Sequence, residues 1–247
     1  MVTFQIRIAE ITVGVTAFYN NTMLRSRGYL CENEEESFHV TVDEQDMEKE
    51  KQIFIERALA RGETDYKVFG FHLDRNAVYR KIAEKMIDYD RILIHGSSIA
   101  IDGKGFLFIA PSGTGKSTHT RLWREAFGER VIMINDDKPL IHVSGNEAVI
   151  YGTPWDGKHH LSTNTGVPLK GICRIVRAKE NSIRRLSSAD GFTAVLEQTY
   201  RSVSPLKFVH TMDLLKQMLQ EIPVFELSCN MDITAAYTAY EAMMNDQ

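Results

Sequence analysis

Cysteine is nearly absent: 247 residues hold three, at positions 31, 173 and 229, and no C-x-x-C pair occurs. The odd count and wide spacing exclude a disulfide framework and a cysteine zinc site, so free thiols in a reducing cytosol are expected. Proline is scarce at 6 and glycine ordinary at 16, which excludes a collagen-like or low-complexity chain. Long apolar runs are missing as well; one of the longest, 106–110, is far too short to span a bilayer. Residues 1–15 lack a basic start and carry Glu10 inside their apolar stretch, so they do not read as a signal peptide. Nor is there an excess of positive charge: 29 Lys+Arg against 33 Asp+Glu leave a formal charge of −4. That balance argues against a general nucleic-acid or membrane binder, which needs a cationic surface. What is there is 43% hydrophobic and 25% charged, ample for a core. The expectation is a cytoplasmic protein of one large domain or two smaller ones.

The two parts of the chain are patterned differently. Phe4, Ile6 and Ile8 alternate with polar residues, as do Ile11, Val13 and Val15, and Phe38, Val40 and Val42. A period of two predicts half-buried antiparallel strands. Residues 44–61 predict a helix bounded by Asp43 and Gly62, with an acidic, solvated surface. Residues 75–89 predict a second, with Val78, Ile82 and Met86 on one face. From Arg91 the pattern changes to short strands at 92–95, 99–102 and 106–110, with Asp102-Gly103 as a hairpin turn. A helix at 116–127, a strand at 131–134 and a hairpin around Gly145 follow. Then come a strand near 171–177, helices near 189–203 and 211–221, a strand at 224–227 and a last helix at 231–244. Such intermixing predicts an α/β fold (α+β) with a mixed sheet.

The most informative stretch runs Ala110, Pro111, Ser112, Gly113, Thr114, Gly115, Lys116, Ser117, Thr118. It matches the P-loop form G-x-x-x-x-G-K-[ST], with Ala110 in place of the first glycine. Gly113 and Gly115 would let the backbone wrap round a polyphosphate, and the following helix adds its positive N-terminal end. Lys116 can reach the β- and γ-phosphates, and Ser117 can hold Mg²⁺ through its hydroxyl. The context fits: a buried strand precedes the loop, and a helix with Leu122, Trp123, Ala126 and Phe127 on one face follows it.

Asp136 and Asp137 follow the strand at 131–134. One helix and one tight turn after Lys116, the chain is expected back alongside the loop's own strand, with both carboxylates near the phosphates. Adjacent carboxylates repel unless a cation lies between them and the polyphosphate. A division of labour resolves this: one ligates Mg²⁺ and the other accepts a proton from an attacking hydroxyl. The pair favours transfer to an acceptor over hydrolysis alone.

Three motifs in order, His95-Gly96 with Asp102, the loop from Gly105 to Ser117, and Asp136-Asp137, resemble the core of the HPr kinase/phosphorylase family. The loop 112–116 is also similar to that of ATP-dependent phosphoenolpyruvate carboxykinases, which share that nucleotide-binding fold. The resemblance covers residues 90–140. It implies an ATP- and Mg²⁺-dependent kinase acting on a hydroxyl, serine foremost, of a peptide, protein or small molecule. It places His95 beside the transferred phosphate, makes Asp136 the base, and gives Mg²⁺ to Asp137 with Ser117. The family's Glu-Ile-x-Gly metal segment is missing; Asp156, in the segment 151–160, could take that metal role, and Lys158, His159 and His160 could bind phosphate or acceptor. Short proteins of this kind, linked to peptide tailoring, phosphorylate a serine on a small peptide. The expected division is an N-terminal lobe over 1–90, a possible place for acceptor recognition, and a nucleotide-binding, kinase-like domain over 91–247.

Two other readings stay open: a nucleotide-responsive module without transfer, and a carboxykinase-like enzyme. A GTPase is disfavoured because no Asn-Lys-x-Asp occurs, and a eukaryotic-type kinase because neither His-Arg-Asp nor Asp-Phe-Gly does. The oligomeric state is left open.

Overall fold

A computed structural model describes residues 1–63, 65 and 67–245. The chain forms two compact units, Met1–Lys85 and the remainder from Met86. Among the described residues no helix is long and apolar enough to cross a membrane.

The first unit runs β1 (Val2–Ile8), β2 (Ile11–Ala17), α1 (Asn20–Arg25), β3 (Leu30–Cys31), β4 (Phe38–Thr41), α2 (Glu44–Ala60) and α3 (Gly70–Met86). The strands form one sheet in the order β3-β1-β2-β4. Alternation in β1 and β2 buries Ile6, Ile8, Val13 and Val15. β1 pairs antiparallel with β2 and β3, but β4 lies parallel to β2, unlike the all-antiparallel expectation. The physical reason is the long connection through α1 and β3, which carries the chain back so that β4 starts in the same direction as β2. Asp43 caps α2 as expected: its carboxylate accepts from Asp46 N at 2.9 Å, and Asp46 accepts in return from Asp43 N at 3.0 Å. α3 begins at Gly70 rather than near 75. Its extra turn carries the buried Asp74, which accepts from Phe18 N at 3.0 Å, Tyr19 N at 3.2 Å and Thr22 Oγ1 at 2.5 Å. That early turn is thus stabilised by tertiary contacts, which local periodicity does not register. An ion pair between the buried Glu50 and the half-buried Arg80 joins α2 to α3.

The second unit runs β5 (Arg91–Leu93), β6 (Ser97–Ile101), β7 (Lys104–Ile109), α4 (Lys116–Phe127), β8 (Val131–Asn135), β9 (Leu140–Ser144) and β10 (Glu147–Tyr151). It continues with β11 (Gly166–Arg177), β12 (Ser182–Arg185), α5 (Ser188–Gln198), α6 (Pro205–Glu221), β13 (Val224–Cys229) and α7 (Thr234–Asn245). Its nine-stranded mixed sheet has the order β5-β9-β10-β11-β7-β6-β8, with β13 beside β11 and β12 beside β13. β7, β11 and β13 are mutually parallel, while β6 is antiparallel to both β7 and β8. β8 therefore runs in the direction of β7 but not beside it. The expectation that it returns alongside β7 is corrected by one strand: β6, hairpinned to β7 through Asp102 and Gly103, already fills that place.

Period-two alternation builds a core on each face. Leu107 and Ile109 of β7 pack with Ala194, Val195, Leu214 and Leu215 of α5 and α6. Phe106 and Phe108 point the other way, into a cluster with Leu122 and Trp123 of α4 and Ala235, Ala236 and Ala239 of α7. The fold class is thus α/β, helices on both faces of a mixed sheet, with a smaller separate sheet in the first unit.

Candidate functional site

Strand direction decides where the chemistry collects. The loops that follow β7, β8, β11 and β13 all leave from carboxyl ends on one edge of the sheet, and antiparallel β6 enters from that edge. So the glycine loop after β7, Asp136 and Asp137 after β8, and His95-Gly96 before β6 share one rim. The crevice outside the carboxyl ends is where open α/β sheets hold ligands.

The glycine loop ends β7 at the buried Ala110 and enters α4 at Lys116. Gly113 has φ +79° and Gly115 φ +130°, conformations that L side chains rarely adopt. A Cβ at either would meet nothing within 4 Å, so the loop encloses open space. The first N–H groups of α4 have no partner inside the helix and lie at its positive end. Lys116 is only 8% exposed, and its ammonium donates to Ala110 O at 2.9 Å. Burial pushes its pKa down, and Asp137 and then Asp136 act upward, so the three charges lie within electrostatic reach. Arg177, at the end of β11, donates through Nε to Thr114 O at 2.9 Å and through Nη2 to Gly113 O. Because the peptide is planar, turning Thr114 O toward Arg177 aims Gly115 N–H the opposite way.

The two aspartates have different surroundings. Asp136 is 7% exposed and accepts from Ser97 Oγ at 2.7 Å; Ser97 Oγ also lies 3.0 Å from Thr120 Oγ1. Thr120 is on α4, so a chain of hydroxyls joins this carboxylate to the helix that starts at the glycine loop. Asp137 is half-buried, pairs with Lys138, and has an oxygen 3.4 Å from His95 Nε2. Asn135 shapes the turn beneath both: its Oδ1 accepts from Asp137 N at 2.8 Å and Lys138 N at 2.6 Å. Its amide donates to Thr153 O at 2.9 Å, which ties the turn to the loop carrying Asp156.

His95 is held from both ends. Its N–H donates to Gln198 O at 2.8 Å, and Nδ1 lies 3.3 Å from Gln198 Oε1. Burial, reinforced by the charges of Lys116 and Lys138, pushes its pKa down against the pull of Asp137, which favours the uncharged ring. Gly96 has no room for a side chain, since a Cβ would lie 2.9 Å from Phe108 O and 2.5 Å from Leu107 Cδ1. That close approach sets His95 against the β7 edge.

Asp156 accepts from His160 Nδ1 at 3.0 Å and Ser162 Oγ at 3.1 Å. Its loop reaches the aspartates through Gly157, where an added Cβ would lie 3.5 Å from Asp137 Cβ. Lys158, His159 and His160 are exposed on the same loop. Among the described residues no group of three or more His, Cys, Asp or Glu converges to hold a metal. Ser112, Gly113, Thr114, Gly115, Lys116, Ser117 and Thr118 thus share one loop and helix start, and Asp136, Asp137 and His95 share its rim. Asp156 stands in the adjoining loop, its carboxylate turned to its own neighbours. Sequence reasoning missed Ser97, Thr120, Arg177 and Gln198. Ser97 was legible as the residue after His95-Gly96; the other three reach the site only through sheet order and helix placement.

No family model matches the sequence, and no curated protein matches it. Among solved structures, the chain is similar to the HPr(Ser) kinase/phosphatase from Coxiella burnetii, at 11% identity and a TM-score of 0.33, over 62% of this chain and 92% of that one.

Proposed function

We propose that the second unit is an ATP- and Mg²⁺-dependent kinase that moves the γ-phosphoryl group to a hydroxyl, serine foremost, of a peptide, protein or small molecule. One observation carries this reading: an open glycine loop, a buried lysine and two separately held carboxylates meet on one sheet edge. The motif resemblance of residues 95–137 supports the same assignment. Lys116 leaves Ala110 O for the β- and γ-phosphates, and the glycine-loop N–H groups hold the same oxygens. Asp136, oriented by Ser97, takes the proton of the acceptor hydroxyl. The acceptor oxygen bonds to the γ-phosphorus as the bond to the bridging oxygen breaks, and ADP leaves.

Mg²⁺ is commonly held by one or two carboxylates together with substrate phosphates, rather than by an all-protein cage. Ser117 with Asp137 suits that pattern, and Asp156 is the candidate third oxygen donor. When bound, the ion would neutralise charge between the β- and γ-phosphates. His95 orients Asp137 and the transferred group from its fixed position on Gln198.

The test is transfer from γ-labelled ATP to serine-bearing peptides. Lys116→Ala and Asp136→Asn should each lower transfer by about 10²-fold or more. Asp136→Asn should still bind nucleotide. Full turnover in both variants would sink the assignment, and nucleotide binding without transfer to any acceptor would favour the regulatory module.

A further inference from the structure

Strand β6 carries a polar residue in an apolar row. Ile99 and Ile101 point to the face covered by α4 and pack with its Leu122 and Trp123. A period of two puts Ser97 in the same row, where it is fully buried. A hydroxyl taken out of water there costs free energy unless it is hydrogen-bonded. The register of β6 with β8 supplies the partner. Val131, Ile132 and Met133 oppose Ile101, Ala100 and Ile99, but Asn135 opposes Ser98, so Ile134 is the extra residue of a β-bulge. In an unbroken ladder Ser97 would face Asn135. The bulge instead brings the next residue, Asp136, opposite Ser97.

Counting protons gives the chain of hydroxyls a direction. Ser97 has one proton, and its Oγ lies 2.7 Å from Asp136 Oδ1 and 3.0 Å from Thr120 Oγ1. An ionised carboxylate only accepts, and a charge-assisted bond is the shorter and stronger, so the proton of Ser97 goes to Asp136. Ser97 Oγ is then an acceptor for Thr120. The other acceptors within reach of the Thr120 hydroxyl, Lys116 O at 3.4 Å and Ser117 O at 3.3 Å, are farther away. Thr120 is buried too, so both hydroxyls are shielded from bulk water. Hydrogen bonds in such a series polarise one another.

We propose that Thr120 and Ser97 are positioning residues for phosphoryl transfer, an assignment that rests on Asp136 being the base. Thr120 donates to Ser97, and Ser97 donates to Asp136 Oδ1. Oδ2 is left to take the proton of the acceptor hydroxyl as that oxygen bonds to the γ-phosphorus. Thr120 stands one turn after Lys116, so the relay registers the carboxylate to the helix whose start would hold the phosphates. The base is thus fixed from two elements: from β8 by the bulge, and from α4 by the hydroxyl of Thr120.

The test follows turnover of Mg·ATP with water as the acceptor hydroxyl. Ser97→Ala should lower kcat about tenfold or more, and Thr120→Val about three- to tenfold, each with KM for ATP changed by less than about twofold. Thr120→Ser, which restores the hydroxyl, should recover most of that loss. Because Thr120 acts only through Ser97, the double variant Ser97→Ala/Thr120→Val should be no slower than Ser97→Ala alone. The carboxyl ¹³C resonance of Asp136 should move in Thr120→Val and return in Thr120→Ser, although residue 120 is not bonded to Asp136. Three results would each overturn the relay and leave the kinase reading standing: losses that multiply in the double variant, equal slowing by Thr120→Val and Thr120→Ser, or a resonance unmoved by Thr120→Val in an active enzyme. No turnover of Mg·ATP by wild type would end the kinase reading, and the base with it.

Discussion

His119 sits in α4 against Phe108, with ring centroids 4.7 Å apart, and burial lowers its pKa from 6.5 to about 3. It is neutral in the folded chain and gains a proton on unfolding below its ordinary value. Stability from this group is therefore complete above pH 6.5 and is lost as pH falls toward 3. The loss should be about 1.4 kcal/mol per pH unit across that window. Urea unfolding at a series of pH values reads the slope, and His119→Gln, which keeps an acceptor for Trp123 Nε1 but cannot titrate, should flatten it. A slope identical in the variant would show that other groups govern acid unfolding. The same residue shows what a sequence yields at this scale. Lys116 and Ser117 are legible because a contiguous loop confines them. His119, three residues on, reads as an ordinary helix position until Trp123 and Phe108 are seen around it. Arg177 and Gln198 depend on β11 lying beside β7 and on where α5 ends, neither of which local pattern encodes.

Helices and strands of the second unit were largely legible because their signals are local. α4 runs from Lys116 to Phe127 as its apolar face predicts, and Asp102-Gly103 turns β6 into β7. β12 was missed: Ser182, Ile183, Arg184 and Arg185 carry little apolar alternation, and the strand exists by pairing with β13. There Arg184 and Arg174 both reach Glu226, whose pKa is held down by those guanidinium groups against the opposing effect of burial. α5 has a local start signal, Ser187, whose Oγ accepts from Asp190 N at 3.2 Å. Its far end is Gln198, which holds His95. Ser187→Ala should lower unfolding free energy by about 1 kcal/mol, read by denaturant titration. Catalysis should be little changed, because the cap lies at the other end of the helix. A large loss of activity at preserved stability would mean that α5 transmits its starting geometry to His95.

For the molecule as a whole, the relevant quantities are net charge and linkage. A chain of formal charge −4 gives a polyanion no general attraction, so on the proposed reading affinity for ATP would come from the loop, the lysine and a bound Mg²⁺. Thermal stability should therefore rise with ATP only when Mg²⁺ is present. At 100-fold excess over Kd the gain is about 2.7 kcal/mol, a shift of roughly 5–11 °C for a chain of this size. Chelation of Mg²⁺ should abolish it, as measured by scanning fluorimetry. An undiminished shift with chelator would remove the metal from the proposal. The sequence pattern changes near Arg91, and the boundary between the two compact units falls at Lys85 and Met86; the parallel β4 leaves no such local signal, since strand direction follows from the path of a connection.

β11 is long enough to change neighbours along its length. Its first residues pair with β10, while Ile172, Cys173 and Arg174 are bonded to β7 on one side and β13 on the other. Amides enclosed in this way can exchange with solvent only when the sheet itself comes apart, whereas β12 is paired to β13 alone and can fray. Deuterium uptake should thus be slowest at Ile172 and Cys173 and faster across β12. Arg177 grips the glycine loop from the end of that slow strand, so the loop's shape should persist through the partial openings that loosen the edges of the unit.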